Sequence, residues 1–450
     1  MPRGTATVPA RRGSRSATSS SSSTTAISPS ARRAAGSRSS SCSAWWPSPS
    51  SSSRGTRAQA TSRPREHRPP SSARRSWRSP SARCFSTPPR RSRSASPSAS
   101  RCGHHRRPWP MPERIHLAAN NPDLGGGEQV LLRHAEALLD LGHPVTVVAA
   151  DSPTEVLDAA AGVGADVVAI RADGRRDHLQ RLRAWDRTER DGVLWCHGLV
   201  PALATAGHPR RIVHLHQDPR GRAQAVAARV ARRGALATLV PSSDMAGRVS
   251  GSRAHANWTS DLPTLDRPAV RTGAVGYLGR ISTDKGVDVL VRAVARAAVA
   301  GDLLLAGDSR YVAEADVRTV EHALAGLGPR AVRLGHTSPA DLFRRVDVVV
   351  FPSVWPEPFG LVVAEAMAAG VPFVISAAGA LPEVAGPDHP WVARAGDADD
   401  LARVLERALR ATPEEVRDVT GRARRRWEEQ YSPRAGRLRV EALLTDLGIT

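Results

Sequence analysis

The segment DVVVFPSVWPEPFGLVVAEAMAAGVPFVIS, residues 347–376, reads as strand, loop, helix, strand. Val348 to Phe351 form an unbroken β-branched and aromatic run, the mark of a strand buried on both faces. Pro352, Pro356 and Pro358 punctuate the loop that follows. From about Phe359 the stretch LVVAEAMAA predicts an apolar helix, and PFVIS predicts a second buried strand. A strand that returns through a helix lies parallel to the first.

The same alternation extends in both directions. Upstream, RIHLAA, PVTVVAA, DVVAI, GVLWCH, RIVHLH and LATLVPS predict strands, with helices between them. The first of those helices is GGEQVLLRHAEALLDLG, with apolar positions at Val130, Leu131, Ala135, Leu138 and Leu139. A polar, proline-containing stretch, 259–273, predicts a linker. AVGYLGR, DLLLAG, AVRLG, DVVVFPS and PFVIS then predict a second set of strands, with helices starting near Lys285, Tyr311, Ser338, Phe359 and Ala380. Two further helices, about 413–430 and 433–446, close the chain. The predicted class is α/β, with two doubly wound Rossmann-like domains facing across a cleft. Their expected extents are 111–265 and 270–430, with 431–450 a closing helix that packs back on the first. Ligands of such sheets sit beyond the carboxyl ends of the strands.

The charge divides the chain into two polymers. Residues 1–110 hold 22 arginines and a single acid, Glu66, so they account for the whole net charge of +21. The remainder has equal numbers of cations and acids. The first 110 residues are rich in Ser, Arg and Pro without apolar periodicity, and are expected to be disordered. A basic nucleic-acid-binding tail, an organelle transit peptide and upstream sequence ahead of a true start at Met111 all fit that composition. The neutral body argues against a nucleic-acid partner. Of the four cysteines only Cys196 lies in the body, which excludes an internal disulfide there and fits a reducing, cytoplasmic compartment. No apolar run reaches membrane-spanning length.

Lys285, in YLGRISTDKGVDVLVRA (277–293), is the chain's single lysine. A compact ammonium reaches one anionic oxygen where a planar guanidinium is bulkier. In the opening segment, amides of Phe359, Gly360 and Leu361 at a helix start suit an anionic oxygen. Glu357 stands at the mouth of that loop, and Glu365 lies about two turns further in. A carboxylate in the apolar LVVAEAMAA helix needs a partner; sugar hydroxyls and a neighbouring arginine both satisfy it. GGGE, Gly125 to Glu128, follows the first strand, and a phosphate loop and a plain helix-entry turn fit it equally. It is not a dinucleotide fingerprint, so no nicotinamide cofactor is expected.

EPFGLVVAE, a Glu-x7-Glu frame, together with Gly279-Arg280 and Lys285-Gly286, resembles the retaining GT-B glycosyltransferases of glycosyltransferase family 4, over 113–446. The resemblance implies a hexosyltransferase that uses a nucleotide-diphosphate sugar, with the acceptor held by the first domain and the donor by the second. It places Arg280 and Lys285 on the diphosphate, Glu357 on the sugar and Glu365 on the ribose. Gly126 and Gly127 approach phosphate and acceptor, while Gly335 and His336 lie near the nucleobase. A strand-end histidine contacts the sugar or lines the acceptor cleft, His216 being preferred over His197. With these cations no divalent metal is expected at the diphosphate. DAD (Asp397–Asp399) mimics a metal motif of another fold but precedes a helix, and is read as its cap. The basic stretch 220–234 is read as a solvated face, with docking on an anionic membrane the other reading. A GT-B sugar-nucleotide epimerase or hydrolase is the alternative within enzymes.

Overall fold

The computed structural model describes residues 112–265, 271–297 and 299–450. The expectation of disorder for 1–110 lies outside the described residues. The chain contains β1 (Ile115–Ala118), α1 (Gly126–Asp140), β2 (Val145–Ala150), α2 (Glu155–Gly162), β3 (Asp166–Ile170), α3 (Arg175–Thr188), β4 (Val193–His197), α4 (Leu199–Ala204), β5 (Arg211–His214), α5 (Gly221–Ala231), β6 (Ala235–Val240), α6 (Ser243–Arg248) and β7 (Arg253–Ala254). After the connection follow β8 (Val275–Leu278), α7 (Val287–Arg296), β9 (Leu303–Ala306), α8 (Glu314–Ala325), β10 (Ala331–Gly335), α9 (Pro339–Phe343), β11 (Val348–Phe351), α10 (Leu361–Ala368), β12 (Phe373–Ser376), α11 (Leu381–Ala385), β13 (Val392–Ala393), α12 (Ala398–Arg410), α13 (Pro413–Gln430) and α14 (Pro433–Asp446).

Two sheets form, each wholly parallel: β3-β2-β1-β4-β5-β6-β7 and β10-β9-β8-β11-β12-β13. Strand order reverses between β1 and β4 in the first lobe and between β8 and β11 in the second. Loops leaving neighbouring strands in opposite directions open a crevice at each of these points. The central strands β1, β2, β4, β5, β9, β11 and β12 are buried throughout. Helices cover both faces of each sheet, so each lobe has two apolar layers. The two-residue edge strands β7 and β13 were not expected; a pairing that short leaves no periodic mark in sequence.

Helix α14 returns to the first lobe. Val440, Leu443 and Leu444 join Leu131, Ala135 and Leu138 of α1 in one core cluster. Gly436 lets α14 press on Trp258, where a β-carbon would stand 2.2 Å from Cδ2. The segment 259–265 is tied to the second lobe: Trp427 Nε1 donates to Thr259 Oγ1 at 2.8 Å, and Leu265 N to Ala369 O at 3.1 Å. Asp397 caps α12 by accepting from Asp400 N, as its position before that helix implied.

Three helix starts differ from expectation. Helix α7 begins at Val287, two residues after Lys285, because Gly286 is left-handed (φ 70°). Helix α10 begins at Leu361, after Pro358 and a left-handed Gly360 (φ 102°). Helix α8 begins at Glu314, since Tyr311 adopts φ 61° and cannot enter a helix.

Candidate active site

Both crevices open onto one cavity of about 620 Å³, lined by residues from each lobe. The second lobe contributes the loops after β8 and β11. The first turns at Gly279 (φ 143°) and carries Arg280 and Lys285; the Tyr277 hydroxyl donates to Arg280 O at 2.5 Å and holds the turn. Gly286 then packs on the second loop so closely that a β-carbon would lie 2.0 Å from Pro352 O. Asp284 O accepts from the amides of Val354 and Trp355 at 3.1 and 3.0 Å, which joins the two loops backbone to backbone.

That seam brings Lys285 Nζ to 2.6 Å from Glu357 Oε1. Ser353 Oγ donates to the same oxygen, and Ser353 O accepts from Ser376 Oγ at 2.6 Å. Glu357 does not stand at the mouth as expected; it is 8% exposed. Its backbone is fixed by the loop after β12: Ala380 N donates to Glu357 O at 2.9 Å, and a β-carbon on Gly379 would stand 2.4 Å from Glu357 N. Arg280 is exposed at the cavity and pairs with Asp284, whose carboxylate is held low despite its burial by Ser282, Arg280 and Lys285. The two cations therefore each rest on an acid, and both line the cavity.

Phe359, Gly360 and Leu361 all line the cavity. Phe359 precedes α10 instead of opening it, because its ring is buried against Tyr431 (centroids 5.4 Å). The amides of Phe359, Gly360, Leu361 and Val362 donate to no protein acceptor among the described residues. At the start of α10 they present a positive dipole end to the cavity.

From the first lobe, Gly125 to Glu128 follow β1 and Gly198 follows β4. Gly126 faces Leu361 across the cleft, where a β-carbon would lie 3.6 Å from Cδ1, and Gly127 faces His216 at 3.4 Å. Both glycines keep the wall thin. His216 lines the cavity, and burial pulls its imidazole down to about 4, so it is neutral near pH 7. His197 stacks on it and meets its Nε2 through Nδ1 at 3.1 Å.

Glu365, Gly335 and His336 are not brought to the cavity wall. Glu365 lies one turn into α10; burial raises its carboxyl to about 7, opposed by the charge of Arg133 on α1. Gly335 and His336 are exposed at the end of β10, an edge strand two positions from β8.

Sequence reading gave no role to Glu128, Arg220 and Glu383, of which the first two line the cavity. Glu128 is buried, accepts from Asn121 N and Nδ2 at 3.0 Å each, and is raised to about 7 by burial. Its place at the end of GGGE was the available signal. Arg220 stacks its guanidinium 4.0 Å over Trp355 of the other lobe. Glu383 accepts from the amides of Ser243 and Asp244 at 2.9 Å each, tying the second lobe to the start of α6. The contacts of Arg220 and Glu383 join residues more than 100 positions apart and leave no local trace.

Residues 272–411 match the glycosyl transferases group 1 family. The chain has the GT-B fold: it aligns with Anabaena HepE, solved with UDP-glucose, at TM-score 0.64 and 20% identity over 74% of this chain and 100% of that one. Sucrose-phosphate synthase from Thermosynechococcus elongatus aligns at TM-score 0.63 and 21% identity over 75% and 99%. By sequence the chain is similar to the MMP alpha-(1->4)-mannosyltransferase of Mycolicibacterium hassiacum, 36% identical over 159 residues, 33% of this chain and 36% of that protein. It is also similar to the D-inositol 3-phosphate glycosyltransferase of Stackebrandtia nassauensis, 34% identical over 164 residues, 33% and 36%. These matches span about a third of each relative's length.

Proposed function

We propose that this protein is a retaining glycosyltransferase of the family 4 type, moving a hexosyl group from a nucleotide-diphosphate sugar to an acceptor in the cleft. One observation carries the reading: Lys285, Arg280, Glu357 and the open amides before α10 converge at the second lobe's strand-order reversal, facing Gly126, Gly127 and His216 at the first lobe's.

In this reading the diphosphate takes Arg280, Lys285 and the amides of Phe359 to Val362. Negative charge grows on the leaving diphosphate as the glycosidic bond lengthens. Fixed cations and amides there stabilise the transition state more than the bound donor. Glu357, held by Lys285, Ser353 and the Gly379 loop, orients the sugar hydroxyls. The acceptor enters past Gly127 and neutral His216. With no carboxylate assigned as a nucleophile, the donor's own phosphate oxygen takes the acceptor proton, and the new bond forms on the face the diphosphate leaves. Glu365 holds the ribose after a side-chain turn toward the cavity, and Gly335 with His336 borders the base. The cations and amides serve the diphosphate without a divalent metal. We place the protein in the cytoplasm. Helix α5, with Arg222, Arg229 and Val226 (60% exposed), is read as a solvated basic face, with docking on an anionic membrane the alternative; among the described residues no helix is long and apolar enough to cross a membrane.

The test is a thermal-shift screen of the chain against UDP, GDP, ADP, TDP and their sugars, followed by proton NMR of the product's anomeric configuration. A donor that raises Tm and yields a product of retained configuration is expected. Indifference to every nucleotide refutes the donor site, and an inverted product refutes retention.

A further inference from the structure

The first-lobe wall of the cleft holds an unusual density of imidazoles. His197 ends β4 and His214 ends β5, and the register of the two strands sets them side by side. His216 lies two residues on, so the three rings cluster at adjoining strand ends. One nitrogen from each can be chosen so that all three lie within 4.8 Å of one another. The closest pair, His197 Nδ1 and His216 Nε2, is 3.1 Å apart. His134 and His255 stand behind them with Trp195.

Both ring nitrogens of His214, Nε2 of His197 and Nδ1 of His216 are buried without a protein partner among the described residues. Leaving a buried polar atom unpaired costs about 1–3 kcal/mol, and phenylalanine or leucine in the same space would avoid it. The two orphaned nitrogens of His214 call for an explanation; His197 and His216 already meet each other through their other nitrogens.

We propose that His197, His214 and His216 form a binding site for a first-row divalent transition metal, entered from the cleft past His216. Metal–imidazole bonds of about 2.0–2.1 Å at tetrahedral angles put two donors about 3.3 Å apart. The rings therefore close by at most about 1.5 Å, and the 3.1 Å pair already has nearly the bite of a four-coordinate ion. Three nitrogen donors without a carboxylate select zinc, cobalt, nickel or copper over magnesium or calcium. A fourth position is left to water or to an acceptor hydroxyl. The site is separate from the diphosphate, whose hard oxygens face Arg280 and Lys285 in the other lobe, and it stands whether or not the donor assignment does.

The test uses the full chain without an affinity tag, stripped of metal, and its His214→Phe variant. Zinc binding is read by equilibrium dialysis with elemental analysis, and stability by Tm. We expect the parent to hold one zinc more per chain than the variant, and zinc to raise the Tm of the parent alone. Histidines elsewhere, including His104 and His105, contribute equally to both and cancel. Without metal, His214→Phe melts at or above the parent, because no hydrogen bond of His214 is lost. Equal zinc content in the two proteins overturns the proposal. Cobalt(II) titration of the unaltered protein gives a reading that needs no variant: one equivalent produces the intense visible bands of a four-coordinate nitrogen-bound ion, displaced by zinc. Absence of those bands overturns the site as well.

Discussion

Replacing Gly286 by alanine tests the seam on which the whole donor side rests. The residue has φ 70°, and a methyl group there would stand 2.0 Å from Pro352 O and 2.8 Å from Pro352 C. The left-handed backbone alone costs an alanine about 1 kcal/mol. The clash is with backbone, so no rotamer relieves it, and one of the two loops must retreat by more than about 1 Å, at a further cost of about 1–3 kcal/mol. A loss of about 2–4 kcal/mol lowers Tm by roughly 5–15 °C for lobes of this size. The retreat also separates Lys285 from Glu357, now 2.6 Å apart. A misplacement of about 1 Å can cost about 100-fold in turnover. Gly142→Ala isolates the first cost: its φ is 86° and nothing lies within 4 Å of the added methyl. It should lower Tm by only about 2–4 °C and leave transfer intact. The assay is differential scanning fluorimetry of both variants, then initial rates with the donor found in the nucleotide screen. If Gly286→Ala loses no more Tm than Gly142→Ala and keeps full turnover, the close approach of the two loops does not organise the site.

Further outcomes are expected. Lys285→Ala should lower kcat by about 10²–10³-fold while circular dichroism stays unchanged; undiminished turnover at saturating donor would remove the lysine from the diphosphate site. Glu383→Ala should destabilise by about 1–3 kcal/mol, having lost two bonds to a charged acceptor, and Glu383→Gln by less, since its one oxygen still accepts; equal and negligible Tm losses would show that the tie to α6 contributes nothing. Glu128 has a folded-state pKa of about 7, above its usual carboxylate value, so the native chain binds the proton more tightly than the unfolded chain. Its contribution to stability is full at low pH and falls as pH rises toward and through 7. Glu128→Gln, which can still accept from both Asn121 donors, should match the parent in Tm at pH 5 and exceed it at pH 8; a constant difference across that range would contradict the assignment.

Much of this architecture was legible in the chain. Apolar runs such as Val348–Phe351 and Leu303–Ala306 had no alternation, which only a doubly covered parallel strand explains, and they did become fully buried. Pro413 and Pro433, each preceded by Thr or Ser, marked the starts of α13 and α14. Helix starts near Gly286 and Gly360 were misplaced by two residues, because a glycine's left-handed geometry is imposed by what packs against it. The Glu-x7-Glu frame lies on a loop and helix beside the cavity, and only its first glutamate is at the cavity wall. Glu357 sits in the loop before α10, held by Lys285 and Ser353, while Glu365 sits on α10, where the charge of Arg133 on α1 acts on it.

The order of strands and helices, the two repeats and the chemistry available at each loop were settled by the chain itself, since burial on both faces and prolyl or glycyl backbone limits act on neighbouring residues. Tertiary structure alone decided that Lys285 meets Glu357, that Glu383 crosses to α6, and that histidines from four separate segments share one wall. Those contacts depend on where two sheets reverse their strand order and how the lobes meet, and neither geometry is encoded within any single stretch of sequence.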